Sequence, residues 1–308
     1  MEFIKLKCGA SEAIINLSRG ANCISLKNTE YNADILRTPS DIENPDGCYL
    51  YGMPILFPVN RISGGRFEFE GREYVFPINE PKTNSTIHGD ICVLPFCCKE
   101  KSESRAVCVF ENRSGSYWGF PHDFTLTLTY TLTECGLKLE TAVENHSDSN
   151  MPIFLGYHTT FNIPFIYGSD KDDALVLCEV SDEIERNMTV YLPTGRILPT
   201  DDITSSMNRG EFSPLCAPIS RHYKIGGNGR IELYDKKSGV TVEYKNDISL
   251  GWRLIYNGKA DEYICLEPQT CMANCANAPF SREYSGFDYL KPYETRKYNS
   301  EIIIRKDC

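Results

Sequence analysis

The stretch Phe124-Thr-Leu-Thr-Leu-Thr-Tyr-Thr-Leu132 decides the fold. Apolar and hydroxyl side chains alternate through it with a period of two, the signature of a half-buried strand. It runs into Thr133-Glu-Cys-Gly136 and then Leu137-Lys-Leu-Glu-Thr-Ala-Val143, so strand, Gly-bearing turn and strand make a hairpin. Working outward, the same pattern recurs. Ile231-Glu-Leu-Tyr234 and Val240-Thr-Val-Glu-Tyr244 flank a turn ending in Gly239, and Phe67-Glu-Phe69 and Glu73-Tyr-Val-Phe76 flank Glu70-Gly71-Arg72. Further strands are expected at 12–17, 23–26, 106–111, 153–161, 174–180, 252–256, 263–266 and 301–305. Helix is expected only as a turn or two near 34–37 or 181–186, because no window of twelve residues carries a helical stripe. Residues 192–217, rich in Pro, Thr, Asp and Ser, read as a long surface excursion. Many short strands with frequent turns point to an all-β sandwich or barrel. With no repeat and no linker, residues 1–308 are read as one domain.

Composition narrows the function classes. The chain of 308 residues carries a net charge of -10, so neither nucleic acid nor an anionic membrane is the expected partner. Its 14 cysteines are scattered, Cys97 beside Cys98 and Cys308 at the end, and none is spaced as CxxC. Several sit in apolar runs (Cys92, Cys108, Cys178, Cys265), which suits reduced core thiols and a cytoplasmic location. The N-terminus shows no secretory pattern and no apolar run is long enough for a membrane helix.

Four segments carry side chains suited to chemistry. In Gly52-Met-Pro-Ile-Leu-Phe-Pro58-Val-Asn60-Arg61, two prolines frame an apolar run that ends in Asn-Arg. Such a loop either exposes an arginine or aims its donors at sugar hydroxyls. His88 follows a polar loop and precedes Gly89, a residue that allows close approach of a ligand to the backbone. His158 lies in the apolar run Phe154-Leu-Gly-Tyr-His-Thr-Thr-Phe161; alternation puts it on one face with Phe154 and Gly156. It is either a satisfied core imidazole or a general acid working near neutral pH. Tyr263-Ile-Cys-Leu-Glu267-Pro-Gln269 delivers a carboxylate at the end of a buried strand, where Pro268 should end the ladder. Burial should raise the pKa of Glu267 toward a value useful to a base.

Taken in order, these segments resemble the aldose 1-epimerase family, the galactose mutarotases. The resemblance includes Asn60-Arg61-Ile62 with Gly64-Gly65-Arg66-Phe67, His88-Gly89, Gly119-Phe-Pro-His-Asp-Phe124, Asn145-His-Ser147 and Met151-Pro152. It continues through Gly156-Tyr-His158, Leu192-Pro-Thr-Gly195, Leu266-Glu-Pro-Gln269, Asn274, Asn277 and Leu290-Lys-Pro292. It spans residues 45–305. It implies a β-supersandwich with few short helices, needing no metal and no organic cofactor, that interconverts α and β anomers of a free aldose as monomer or homodimer. By resemblance, Glu267 is the general base at the anomeric hydroxyl and His158 the general acid at the ring oxygen. That chemistry is expected to set acid and base on opposite edges of the sugar. Arg61 and His88 resemble the residues that hold ring oxygen and hydroxyls. Asn60 accompanies Arg61, and Gln269 orients Glu267 or touches the sugar. Where the family often carries an Asp before a His, this chain has Ser220-Arg221-His222, so Arg221 is a further candidate for binding. Two alternatives stand beside this reading: a hexose-phosphate 1-epimerase using Arg61, Arg66 and Arg221 as a phosphate clamp, and a carbohydrate-binding protein without catalysis.

Overall fold

The structure is a computed structural model that describes residues 1–42, 49–113, 115–260 and 262–306; Cys308 and the first residues of the 45–305 resemblance lie outside that set. Among the described residues, the molecule is built on two eight-stranded sheets and a four-stranded one. The first large sheet follows from the alternating hairpin. Phe124–Thr133 pairs with Gly136–Asn145 in the register Leu128↔Thr141, and Thr295–Lys306 closes on its far side. Leu126, Leu128, Tyr130 and Leu132 are all buried, as the period of two demands. The order across this sheet is Cys97–Lys101, Arg105–Asn112, Phe124–Thr133, Gly136–Asn145, Thr295–Lys306, Val240–Asn246, Ile231–Asp235 and Ala174–Cys178.

The second large sheet carries the site. Its path runs Leu192–Leu198, Val180–Asn187, Ser220–Ile225, Trp252–Tyr256, Tyr263–Gln269, Gly156–Tyr157 and Ile55–Leu56, with Thr160–Asn162 also pairing Tyr263–Gln269. Side chains from the two sheets meet between them. The Tyr157 hydroxyl donates to Thr141 Oγ1 at 2.7 Å, Thr159 Oγ1 lies 2.8 Å from the Tyr244 hydroxyl, and the Phe161 and Tyr244 rings are 5.6 Å apart. One continuous apolar cluster extends from Ile4 to Ile304.

Four expectations change. Residues 181–186 belong to the strand Val180–Asn187, not a helix, and residues 34–37 hold the end of a two-residue strand, Ala33–Asp34. The 192–217 excursion contains the strand Leu192–Leu198 and the helix Asp202–Arg209. That helix is short but well bounded: the Asp201 carboxylate accepts from Thr204 N, and Gly210 ends it at φ 71°. The 153–161 strand is broken into Met151–Ile153, Gly156–Tyr157 and Thr160–Asn162, so His158 falls in a gap. Pro268 does not end its ladder, because Arg253↔Pro268 and Trp252↔Gln269 continue it. Leu266 N donates to Thr159 O and Thr270 N to Leu155 O. Pro268 thus occupies the one position between them, opposite the break in the neighbouring strand, where no donor is called for.

Candidate functional site

His158 and Glu267 meet because both sheets constrain their neighbours. Tyr157 and Thr159 are tied into the core by hydrogen bonds to Thr141 and Tyr244. Their common neighbour His158 therefore turns to the opposite face of the site sheet. Leu266 is fully buried in the core, and Glu267 faces the same way as His158. His158 Nε2 lies 3.2 Å from Glu267 Oε1. Gly156 lets this happen, since a Cβ there would stand 2.6 Å from Val59 Cγ2 and 3.0 Å from Pro268 O.

The pair forms the floor of a cavity of about 680 Å³, walled by Tyr49, Asn60, Arg61, His88, Arg186 and Tyr191, with Lys259 among the rest of its lining. Asn60, His88 and Tyr191 have φ of 59°, 60° and 58°, the left-handed region. Three such non-glycine residues around one cavity mark it as a place where local strain is tolerated for what it positions.

Hydrogen bonds set the amides in order. Arg61 N donates to Asn60 Oδ1 at 2.9 Å, so Asn60 Nδ2 donates to Gln269 Oε1 at 3.2 Å. That leaves Gln269 Nε2 to donate to Glu267 Oε2 at 3.1 Å. Gln269 thus orients Glu267 from behind, and is not part of the cavity lining. Asn60 N donates to His88 Nδ1 at 3.3 Å, which leaves the His88 proton on Nε2 in the neutral ring. His88 and His158 pack edge to face, 5.3 Å between centroids, and Tyr49 leans on both. Asn274 staples the wall: its Oδ1 accepts from Ser63 N and its own N donates to Arg61 O.

Burial governs the charges. It raises the Glu267 carboxyl well above its usual range, against weaker lowering by Gln269, Arg186 and Arg61. It pushes His158 down to about 4 and His88 well below an ordinary imidazole. Glu267 Oε1 and His158 Nδ1 have no hydrogen-bond partner, so the close contact between the rings and the carboxyl is off the hydrogen-bond axis. Both groups retain unused hydrogen-bonding capacity.

One expectation about the geometry changes. The two groups expected to serve as acid and base are neighbours on the floor of the cavity, not on opposite edges. Ligand atoms of His88, His158 and Glu267 also lie within 4.8 Å of one another, near enough to share a metal ion.

The arginines differ most from expectation. Arg221 is not in the cavity. It alternates with Ser220 and His222, so it points to the other side, where it pairs with Glu183 at 3.0 Å and Asp201 at 2.7 Å. Arg66 is exposed and faces Glu73. Arg61 lines the cavity, but Glu80 takes its Nε and Nη2 in two contacts of 2.7 Å, and its guanidinium stacks on Tyr191. The supposed clamp of Arg61, Arg66 and Arg221 is therefore not assembled. Gly89 serves packing, not a ligand: a Cβ there would stand 2.0 Å from Phe57 O. Sequence reasoning missed Tyr49, Glu80, Tyr191, Lys259 and Arg186. Glu80 and Tyr191 carried no local signal, since each matters only through Arg61.

Known proteins share this arrangement of chain. A galactose mutarotase-like protein from Clostridium acetobutylicum is 31% identical, with a TM-score of 0.90 over 99% of this chain and 95% of that one. The GalM/aldose epimerase homologue from C. elegans, 17% identical, shares the fold with a TM-score of 0.79 over 100% and 99%. Among curated relatives, Escherichia coli YphB is 30% identical over 108 residues and YihR 28% over 174. Those alignments span 36% and 55% of the relatives' own lengths, and 35% and 51% of this chain. The aldose 1-epimerase family matches residues 2–301. With nearly the whole chain matched and a β-rich fold shared end to end, the protein belongs to the aldose 1-epimerase family.

Proposed function

We propose that the protein is an aldose 1-epimerase that interconverts the anomers of an aldose with a free anomeric hydroxyl, with Glu267 and His158 as its proton-transfer pair. The observation that carries this is their 3.2 Å approach on the floor of an open, sugar-sized cavity. In the ring-opening step Glu267 takes the proton of the anomeric hydroxyl while His158 gives one to the ring oxygen. The bond between the anomeric carbon and the ring oxygen breaks, leaving the open-chain aldehyde. The bond between the first two carbons turns, and closure from the other face of the carbonyl reverses both transfers. The pair carries one proton in total throughout: carboxylate with imidazolium becomes carboxylic acid with imidazole. Burial favours the second, uncharged state, so the resting pair must first pass its proton from Glu267 to His158, and the reacting ion pair is the minor form. Positioned acid–base groups of this kind contribute about 10²–10⁴-fold each. Asn60 and Gln269 hold the carboxyl in place, and the His88 Nε2–H is a donor for a sugar oxygen.

Polarimetry of freshly dissolved α-glucose and α-galactose tests the proposal. The protein should speed the approach to anomeric equilibrium well beyond buffer, and His158→Asn should remove most of the gain. Saturable sugar binding with exchange at the buffer rate would instead indicate a carbohydrate-binding protein. An undiminished rate in His158→Asn would move the acid to another group.

A further inference from the structure

Arg186 is 7% exposed and lines the cavity from the strand Val180–Asn187. Its hydrogen bonds all come from Nη2, to the backbone oxygen of Ser220 and to Ser220 Oγ at 3.0 Å. The donors on Nε and Nη1 have no protein acceptor, and no carboxylate pairs with this guanidinium among the described residues. Arginine is almost never buried this far without a counter-charge, because taking the cation out of water costs several kcal/mol. The surroundings supply carboxylates only beyond pairing distance, Glu183 and Glu267. Burial, then the nearby Arg61, push the guanidinium down to about 10 against the weaker raising effect of those two. Arg61 is already neutralised by Glu80, Lys259 adds positive charge to the lining, and burial favours the uncharged form of Glu267. In a protein of net charge -10, this cavity is lined by Arg61, Arg186 and Lys259 against Glu80 and Glu267.

We propose that the sugar taken by this cavity carries an anionic group away from its anomeric carbon, and that Arg186 binds that group. This rests on the epimerase reading of the same site. The distances suit it. Ser220, which anchors Arg186, is paired with Tyr256, and Tyr256 with Cys265 on the strand of Glu267. Two strand spacings of about 4.8 Å put the anchor ~10 Å from that strand. A pyranose with its anomeric carbon at Glu267 and a substituent reaching outward spans such a gap. The free donors on Nε and Nη1 lie on different edges of the guanidinium, and either can give a charge-assisted hydrogen bond to an oxygen of a carboxylate, phosphate or sulfate. The role differs from the clamp suggested by sequence, since none of Arg66, Arg221 or the Glu80-bound Arg61 supplies it.

The experiment compares anomer exchange, by polarimetry and exchange NMR, for glucose, galactose, glucuronate, glucose 6-phosphate and glucose 6-sulfate. At least one anionic sugar should exceed the neutral ones in kcat/KM by about tenfold or more, the weight of one charge-assisted hydrogen bond. The gain should lie mainly in KM. Which anion leads identifies the substituent. In Arg186→Met the ratio of anionic to neutral kcat/KM should fall by about tenfold, with Arg186→Lys between. Neutral sugars equal to or better than every anionic one with the unmutated protein would overturn the proposal, whether or not the variants fold. So would Arg186→Met lowering both classes in proportion with a displaced pH profile, since Arg186 would then act as the counter-charge of Glu267. If no sugar of either class exchanges faster than in buffer, the epimerase reading itself falls.

Discussion

Glu267→Gln is the substitution whose outcome the structure fixes most tightly. The side chain keeps its length and shape. Its amide oxygen can still accept from Gln269 Nε2, the bond that the Asn60–Gln269 relay already directs at this position. Its amide nitrogen then takes the place of Oε1, the atom that makes no hydrogen bond and faces His158 Nε2 at 3.2 Å. Packing is therefore preserved while the proton acceptor is lost. The expected cost is about 10²–10⁴-fold in rate, or ~2.7–5.4 kcal/mol of barrier at 1.36 kcal/mol per tenfold. Stability should move the other way. The folded pKa of Glu267 is raised well above 4.5, so the native state binds this proton more tightly than the unfolded chain does. That contribution is complete below 4.5 and is lost as pH rises toward the folded value. The glutamine is uncharged at every pH and loses nothing. Its melting temperature should match the parent's at low pH and exceed it increasingly above 4.5. Polarimetry and thermal unfolding across pH read the two effects separately. An unimpaired rate refutes the base assignment. A lower melting temperature at neutral pH refutes the claim that the carboxyl is held protonated by burial.

Other expectations follow from the same groups. The rate should be bell-shaped in pH, because the pair works with one proton. Its acid limb should fall near 4, where His158 gains a second one, well below the 6.5 of an ordinary imidazole; a limb at 6 to 7 in kcat/KM profiles would contradict the burial of His158. His158→Asn should flatten the loss of stability between 6.5 and about 4, since the depressed imidazole stabilises the fold above that window and ceases to as pH falls through it; melting temperatures at several pH values measure this. Gln269→Leu removes the donor that lowers Glu267, so the basic limb should move up and kcat fall by about tenfold, with KM little changed. An unmoved basic limb counts against the relay. EDTA should leave the rate as it was, and loss of rate restored by a divalent metal would show that His88, His158 and Glu267 work as ligands.

Much of this candidate site was legible because its two titratable residues have distinctive local settings. A titratable side chain between Tyr157 and Thr159, and another behind Leu266, each contradict an apolar pattern, and such contradictions tend to be functional. The hairpins were legible for the same reason that they are stable: in Phe124–Thr133 one face is buried and the other is not, and alternation records it directly. The strand at 153–161 was legible in its facing but not in its continuity. Tyr157 and Thr159 do point to the core as alternation says, yet the chain leaves the ladder between Tyr157 and Thr160. Nothing in an apolar run marks such a break, since pairing is decided by the neighbouring strand and not by the run itself.

Arg186 shows why the remainder was hidden. Its segment, Ser181-Asp-Glu-Ile-Glu-Arg186, is too polar to resemble a buried strand, and a turn of helix was the natural reading. Alternation applied to the correct strand does place it. Glu183 is paired with Tyr223 and bonded to Arg221, so it shares their face, turned away from the cavity. Ile184 and Arg186 take the opposite face, and Arg186 reaches the cavity there, held by the Ser220 acceptors more than thirty residues away. Arg221, by contrast, sits on a strand with an unbroken register to Trp252–Tyr256, and there simple alternation turns it away from the cavity. Which cation reaches the cavity is thus decided by strand alternation in both cases, and Arg186 was hidden only because its segment is too polar to be read as a strand.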